Sequence, residues 1–134
     1  MSEIIVLDTH IWLWFVNSDF HQFPNLWLEQ IESAQRVGIS PVSCFEVALA
    51  HKRGRITLTM KLEEWFQQAL EPSGIEIFPL TPEIAAKAVD LSPVHRDPFD
   101  RIIIATSLDY QAPLASLDGQ FPYYPELRDK LMTP

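Results

Sequence analysis

The chain has 134 residues, 47% of them apolar and 21% charged, a composition that suits about one globular domain and excludes disorder as the main state. Its longest wholly apolar run, residues 11–16, has six residues, far short of the roughly 20 that a membrane helix needs, and the start Met1-Ser2-Glu3 lacks the basic flank of a secretion signal. The net charge of −8, from 18 acidic and 10 basic residues, argues against nucleic-acid binding by a broad basic surface but not against a nuclease whose acids surround metal ions.

Taken in order, residues 3–7 (EIIVL) form a β-branched run that predicts a buried strand ended by Asp8. Residues 9–16 predict a mostly apolar helix, and residues 24–36 an amphipathic one. A second strand is expected over 37–42 and a helix over 43–53, with Gly54 as its stop. A further helix covers 58–70, closed by Glu71-Pro72-Ser73-Gly74, and a third strand covers 75–80. Thr81-Pro82-Glu83 is a hydroxyl cap, a first-turn proline and an acid at the positive helix end, so it starts a helix that runs to about Leu91. Asp97-Pro98 opens the next helix, which ends near Tyr110, and residues 113–117 give a fourth strand. Strands alternating with helices predict a three-layer α/β/α sandwich around a mostly parallel sheet, spanning residues 1–134 as one domain. Four glycines and no phosphate-binding glycine loop weaken the dinucleotide-binding and P-loop alternatives. The single cysteine, Cys44, excludes an internal disulfide and a multi-cysteine metal site, and fits a reducing, cytoplasmic setting.

Four acids stand at element boundaries. Asp8 follows the first strand, Glu46 lies one turn into the helix after the second, Asp100 sits in the first turn of the helix before the fourth, and Asp118 follows the fourth. In an open parallel sheet the strand C-termini share one edge, where sites form. Asp100 joins that edge only if residues 91–97 return across the sheet. Carboxylates gathered there repel one another and resist ionising together. A hard divalent cation relieves this with oxygen ligands and leaves positions for a phosphate oxygen and a water. The chemistry implied is metal-assisted hydrolysis of a phosphodiester.

Each acid also has a local alternative. Ser43-x-x-Glu46 fits a capping box. Asp97 suits a helix N-cap with Asp100 near the dipole. Asp118-Gly119 fits a simple turn. These readings do not explain why all four acids coincide with one sheet edge. Thr9 and Ser116 are candidate supporting hydroxyls, with ordinary turn bonding as the alternative. His10 stands two residues after Asp8, and the four histidines show no zinc spacing. Lys52, Arg53 and Arg55 follow the helix of Glu46, while Arg96 and Arg101 flank Asp97 and Asp100. Lys52, Arg53, Arg96 and Arg101 are candidate contacts to substrate phosphates on either side of a metal pocket. Complementing a helix end or pairing with an acid are the alternatives. The block Trp12, Trp14, Phe15 reads as core, with part of it available to a partner chain.

The string residues 6–14 (VLDTHIWLW) resembles the opening of the PIN-domain toxins of bacterial type II toxin–antitoxin pairs, the VapC family. Residues 42–48 (VSCFEVA) with the 52–56 stretch around Gly54 are similar to that family's second acidic motif, residues 95–105 (HRDPFDRIIIA) to its most specific one, and residues 114–121 (LASLDGQF) to its last. The resemblance runs from about Ile4 to Phe121 in the family's order, with Ser116 where many members carry threonine. It implies strand order 3-2-1-4-5 and a Mg²⁺- or Mn²⁺-dependent endoribonuclease. Asp8, Glu46, Asp100 and Asp118 would be the metal-binding and catalytic acids, with Asp97 supporting. It further implies an RNA substrate, which would make the phosphates met by Lys52, Arg53, Arg96 and Arg101 those of RNA, a homodimer, and a cognate antitoxin through which alone DNA is met. The alternatives are a non-catalytic PIN-like binding module or another Mg²⁺-dependent phosphohydrolase. A haloacid-dehalogenase-like phosphatase would need an acid at position 10, which is His, and a receiver domain needs an aspartate after the third strand, where Phe78-Pro79-Leu80 stands.

Overall fold

The computed structural model describes residues 3–134. In chain order the elements are β1 (Ile4–Leu7), α1 (Thr9–Val16), α2 (Asn25–Ser33), β2 (Arg36–Ile39), α3 (Pro41–Lys52), α4 (Leu62–Ala69), β3 (Ile75–Ile77), α5 (Pro82–Asp90), α6 (Pro98–Asp109) and β4 (Leu114–Ala115), with short 3₁₀ turns between some of them. All strand pairs are parallel and the order is β3-β2-β1-β4. The fifth strand implied by the resemblance is reduced to an isolated bridge between Leu114 and Leu131, held by Leu114 N–H to the Lys130 carbonyl at 2.8 Å and Met132 N–H to the Leu114 carbonyl at 2.9 Å.

Alternation along the strands explains the three layers. Ile5 and Leu7 of β1 point into one apolar cluster with Trp12, Trp27, Val47 and Trp65. Val6 between them points into the other, with Phe78, Ile103, Ile104 and Phe121. Successive strand residues face opposite sides, so both faces of this sheet are covered by helices. Trp12 and Trp65 are nearly inaccessible and still satisfy their indole N–H groups, on the Ala69 carbonyl and the Asn17 side chain, both at 2.9 Å. The second face needs a glycine. A Cβ on Gly38 of β2 would sit 2.4 Å from the Phe78 ring, and Phe78 itself stacks on Tyr110 with centroids 4.2 Å apart. α5 lies outside α6, packing Ile84 and Ala88 on Ala105.

Several boundaries differ from the sequence expectation, each for a local reason. The second strand stops at Ile39 instead of 42, because Pro41 supplies the first turn of α3 and the Ser40 hydroxyl accepts from Val42 N–H at 3.3 Å. The expected helix 24–36 ends at Ser33, and Arg36 already pairs with Ile4. The expected helix 58–70 begins only at Leu62. The third strand ends at Ile77, although Phe78 N–H still reaches the Ile39 carbonyl at 2.8 Å before Pro79 breaks the ladder. The strand expected over 113–117 keeps two residues. The starts at Thr81-Pro82 and Asp97-Pro98 are as expected: the Thr81 hydroxyl accepts from Ile84 N–H at 3.2 Å and the Asp97 carboxylate from Phe99 N–H at 2.9 Å.

Candidate active site

The site is built where β1, β2 and β4 end. Asp8 immediately follows β1 and caps α1: one carboxylate oxygen accepts from Thr9 N–H at 2.8 Å. The other accepts from the Ser116 hydroxyl at 2.6 Å. Ser116 follows β4, and its oxygen also takes the Asp118 N–H at 3.1 Å. The two strand ends are thereby tied through one serine. Asp118 in turn accepts from Gln120 N–H at 2.8 Å, so the turn alternative for Asp118-Gly119 and its place at the pocket hold together.

Glu46 is not in a capping box. Ser40, three residues before Ser43, is the cap, which leaves Ser43 inside α3 and fully buried. Thr9 joins the two segments: its hydroxyl donates to Glu46 at 2.6 Å, and its oxygen lies 2.8 Å from the Ser43 hydroxyl. Spacing alone could not distinguish two serines three residues apart as caps. The proline after Ser40 was the usable signal.

Residues 91–97 do return across the sheet. They bring the start of α6, with Asp97 and Asp100, to the same pocket. One carboxylate oxygen from each of Glu46, Asp97 and Asp100 lies within 4.8 Å of those of the other two. Asp97, expected as a supporting acid, is thus among the most closely gathered carboxylates. His95 accepts Asp97 N–H on Nδ1 at 3.0 Å, and the same nitrogen lies 3.8 Å from Asp100. His95 is held in turn by the Tyr124 hydroxyl, which accepts its N–H at 3.1 Å. Neither contact was visible in the spacing.

The electrostatics agree with the geometry. Burial raises the Asp8 carboxyl above the usual range, with nearby Asp118 adding to the rise against the bonds from Ser116 and Thr9. Glu46 is raised by burial, with Asp8 and Asp97 adding. Asp100 is pushed up to about 8, first by burial and then by Asp97, Asp8, Asp118 and Glu46. That one carboxyl feels four others places five acids around a common volume. The residues therefore fit a hard divalent cation: every donor is an oxygen, and three already stand within coordinating reach of one point.

The nearby basic residues are not the missing counter-charge. Arg101 donates to five main-chain carbonyls, those of Ala88, Val89, Leu91, Ser92 and His95, at 2.8–3.2 Å. It is an internal brace for residues 88–95, not a free group for a phosphate as sequence position suggested. Lys52 and Arg96 are exposed. Arg53, also exposed, lines a cavity beside the acids together with His10 and Arg55. Of the aromatic block, Trp12 is core, whereas Trp14 and Phe15 are only partly buried.

A parallel sheet between helix layers with an acidic pocket at its strand ends is an architecture that can hold a divalent cation for phosphoryl chemistry. The chain belongs to the PIN-domain family, whose model matches residues 5–127. It is 30% identical over 115 residues to Ribonuclease VapC22 of Mycobacterium tuberculosis, covering 85% of this chain and 86% of that protein. The fold is similar to that in VapBC2 of Rickettsia felis bound to a promoter DNA fragment, with a TM-score of 0.65 and 17% identity over 92% of this chain and 94% of that one. A toxin–antitoxin complex from Klebsiella pneumoniae gives a TM-score of 0.64 and 21% identity, covering 97% of each chain. FitAcB of Neisseria gonorrhoeae gives 0.56 and 22%, covering 87% and 90%. No helix among the described residues is long and apolar enough to cross a membrane.

Proposed function

We propose that the protein is a divalent-metal-dependent endoribonuclease and the toxin of a toxin–antitoxin pair, acting in the cytoplasm as one domain. The observation that carries this reading is the convergence of five carboxylates from three strand ends and one helix start, with Asp100 pushed up to about 8 by burial first and by the other four acids after it. Such an arrangement is unfavourable by itself and becomes favourable with a bound cation. When bound, Mg²⁺ or Mn²⁺ polarises the scissile phosphate and lowers the pKa of an attacking water. Glu46, Asp97 and Asp100 would hold the ion. Asp8, locked in orientation by Ser116 and Thr9, and Asp118 complete the acidic wall. The water oxygen bonds to phosphorus as one P–O ester bond breaks, and one water proton passes to the leaving ribose oxygen, giving a phosphate monoester end and a hydroxyl end.

The relative named Ribonuclease VapC22 supports RNA as the substrate, and the likeness to toxin–antitoxin complexes supports a cognate antitoxin; a homodimeric toxin that meets DNA only through that antitoxin completes the proposal. The test is cleavage of total cellular RNA by purified protein. Cutting is expected with Mg²⁺ or Mn²⁺ and not with EDTA, and Asp8→Asn should abolish it while leaving a folded chain. Expression alone should arrest growth, and co-expression of the neighbouring open reading frame should relieve it. Metal-independent cleavage would overturn the mechanism. A folded, soluble protein that neither cuts RNA nor slows growth would leave a binding module.

A further inference from the structure

Beside the acids lies a cavity of about 400 Å³, of a size that takes small ligands. Its two ends differ in charge. Glu46 and Asp97 border it at the acid pocket, and Arg53 and Arg55 border it on the loop after α3. The wall between them is apolar, made by Leu13, Val47, Ile56 and Phe99, and His10 stands at its exposed side.

The two arginines extend from a turn whose backbone is held by hydrogen bonds. Gly54 between them has φ +71°, the left-handed conformation that glycine adopts without strain. The turn is closed by Gly54 N–H to the His51 carbonyl at 3.1 Å and Arg55 N–H to the Ala50 carbonyl at 2.9 Å. Ile56 then anchors the loop in the core. Among the described residues neither guanidinium makes an ion pair, although five carboxylates lie close by. Two unpaired guanidinium groups, set apart from the acids by an apolar wall, suit an anion that arrives from outside.

We infer that this cavity is a nucleotide subsite, resting on the ribonuclease reading above. It takes the nucleotide next to the scissile bond, with its phosphate between Arg53 and Arg55 and its base against the Leu13–Phe99 wall. An RNA strand offers this alternation of negative and flat apolar groups at consecutive positions. With one phosphate at the acid pocket, the neighbouring base covers the wall and the next phosphate meets the arginines. Base contact of this kind tolerates many sequences, because every base has a π-face.

The test measures binding of a short fluorescein-labelled oligouridylate by fluorescence anisotropy across a salt series. Ca²⁺ replaces Mg²⁺ so that the strand stays whole. The proteins are the wild type, the Arg53→Gln/Arg55→Gln variant, and a Lys61→Gln/Lys130→Gln variant with the same loss of charge away from the cavity. The arginine variant should weaken binding by about tenfold or more and lower the slope of log affinity against log salt by roughly 0.7, one single-strand phosphate contact. The lysine variant should do neither. A strand of abasic ribose phosphates should bind the wild type at least about fivefold more weakly, with the slope kept. Equal affinity and slope for the two charge variants would overturn the subsite and leave the cavity to a polypeptide partner. Cleavage of cellular RNA with Mg²⁺, run in parallel, separates the two claims. If the wild type cuts RNA while the arginine variant binds normally, the subsite fails alone. If the wild type neither cuts nor binds RNA, both fail.

Discussion

Carboxylates meet opposite circumstances in two parts of this sheet. At the start of β2, Arg36 reaches across to Glu76 on β3 with two hydrogen bonds, 2.9 and 3.0 Å, and lies over the Phe78 ring at 5.2 Å. The guanidinium holds Glu76 below the usual carboxylate range. At the strand ends, Asp8, Glu46, Asp97, Asp100 and Asp118 converge without such a partner, and Asp100 rises to about 8. The chain does place arginine near these acids, but Arg101 faces carbonyls instead. Self-neutralisation is therefore available to this fold and is absent at the pocket where we propose that a cation binds.

The sharpest way to break this contrast is Asp100→Asn. Removing one charge from the pocket should lower RNA cleavage by at least about a hundredfold, since the lost group acts on charge at the reacting centre. The metal-free protein should melt higher at neutral pH, because an amide removes the cost of keeping protonated a carboxyl that ionises freely once unfolded. The pH dependence has a definite sign. Asp100 ordinarily titrates near 3.8 and here near 8, so between those values the folded state holds more protons than the unfolded one. Its contribution to metal-free stability is complete below about 4 and is lost as pH rises through about 8. Ion binding displaces that proton, so apparent Mg²⁺ affinity should climb toward pH 8 by up to about tenfold per unit and then flatten. Melting curves in EDTA and calorimetric Mg²⁺ titration, each across pH, check both effects, and both should shrink in the variant.

Much of the scaffold could be read in advance because local signals agreed with the fold. EIIVL before Asp8, Thr81-Pro82 and Asp97-Pro98 each marked a boundary where the structure has one. The misread boundaries arose where tertiary contact decides. Leu58 continues an apolar pattern but packs as irregular chain beneath the first core, and β4 is short because the next segment turns at Ser116 to reach Asp8. Asp8, Glu46 and Asp118 could be grouped from topology alone, and Asp100 only on the condition that residues 91–97 return across the sheet. Placing Asp97 within 4.8 Å of Glu46 and Asp100 needed the path of residues 91–97, and that path is set by Arg101. No local pattern distinguishes an arginine that binds carbonyls from one that binds phosphate.

Ser116→Ala probes how the strand ends are joined. The hydroxyl orients Asp8 and receives Asp118 N–H. Its loss frees both without removing a charge, so cleavage should fall by about 10- to 100-fold. Ser116→Thr should retain most of the activity, because the hydroxyl is kept. Single-turnover cleavage of the three proteins at saturating Mg²⁺ makes the comparison.

Arg101→Lys asks whether the brace matters to the fold more than to the chemistry. A lysine keeps the charge but cannot reach five carbonyls in fixed directions. Because hydrogen bonds to a charged group are worth about 1.5–3 kcal/mol each and overlap strongly when they share one donor group, we expect a stability loss of roughly 2–4 kcal/mol in urea denaturation. Cleavage per folded molecule should drop only a few-fold at saturating Mg²⁺, with a larger rise in the Mg²⁺ concentration required, since Asp97 and Asp100 would be held less firmly.

Glu76→Gln supplies the other end of the scale. The pair it breaks is bidentate, but about half of each side chain is exposed, 47% for Arg36 and 45% for Glu76, so water and salt screen it and its loss should barely move the melting temperature. Arg36 keeps its place over Phe78 and Tyr110, and cleavage should equal the wild type. The same one-atom change, carboxylate oxygen to amide nitrogen, would then be nearly silent in a carboxylate with a cation and disabling in Asp100. A large loss of cleavage in Glu76→Gln would mean that the paired region communicates with the acid pocket, and the division between a self-neutralised part of the sheet and a part awaiting an external ion would no longer stand.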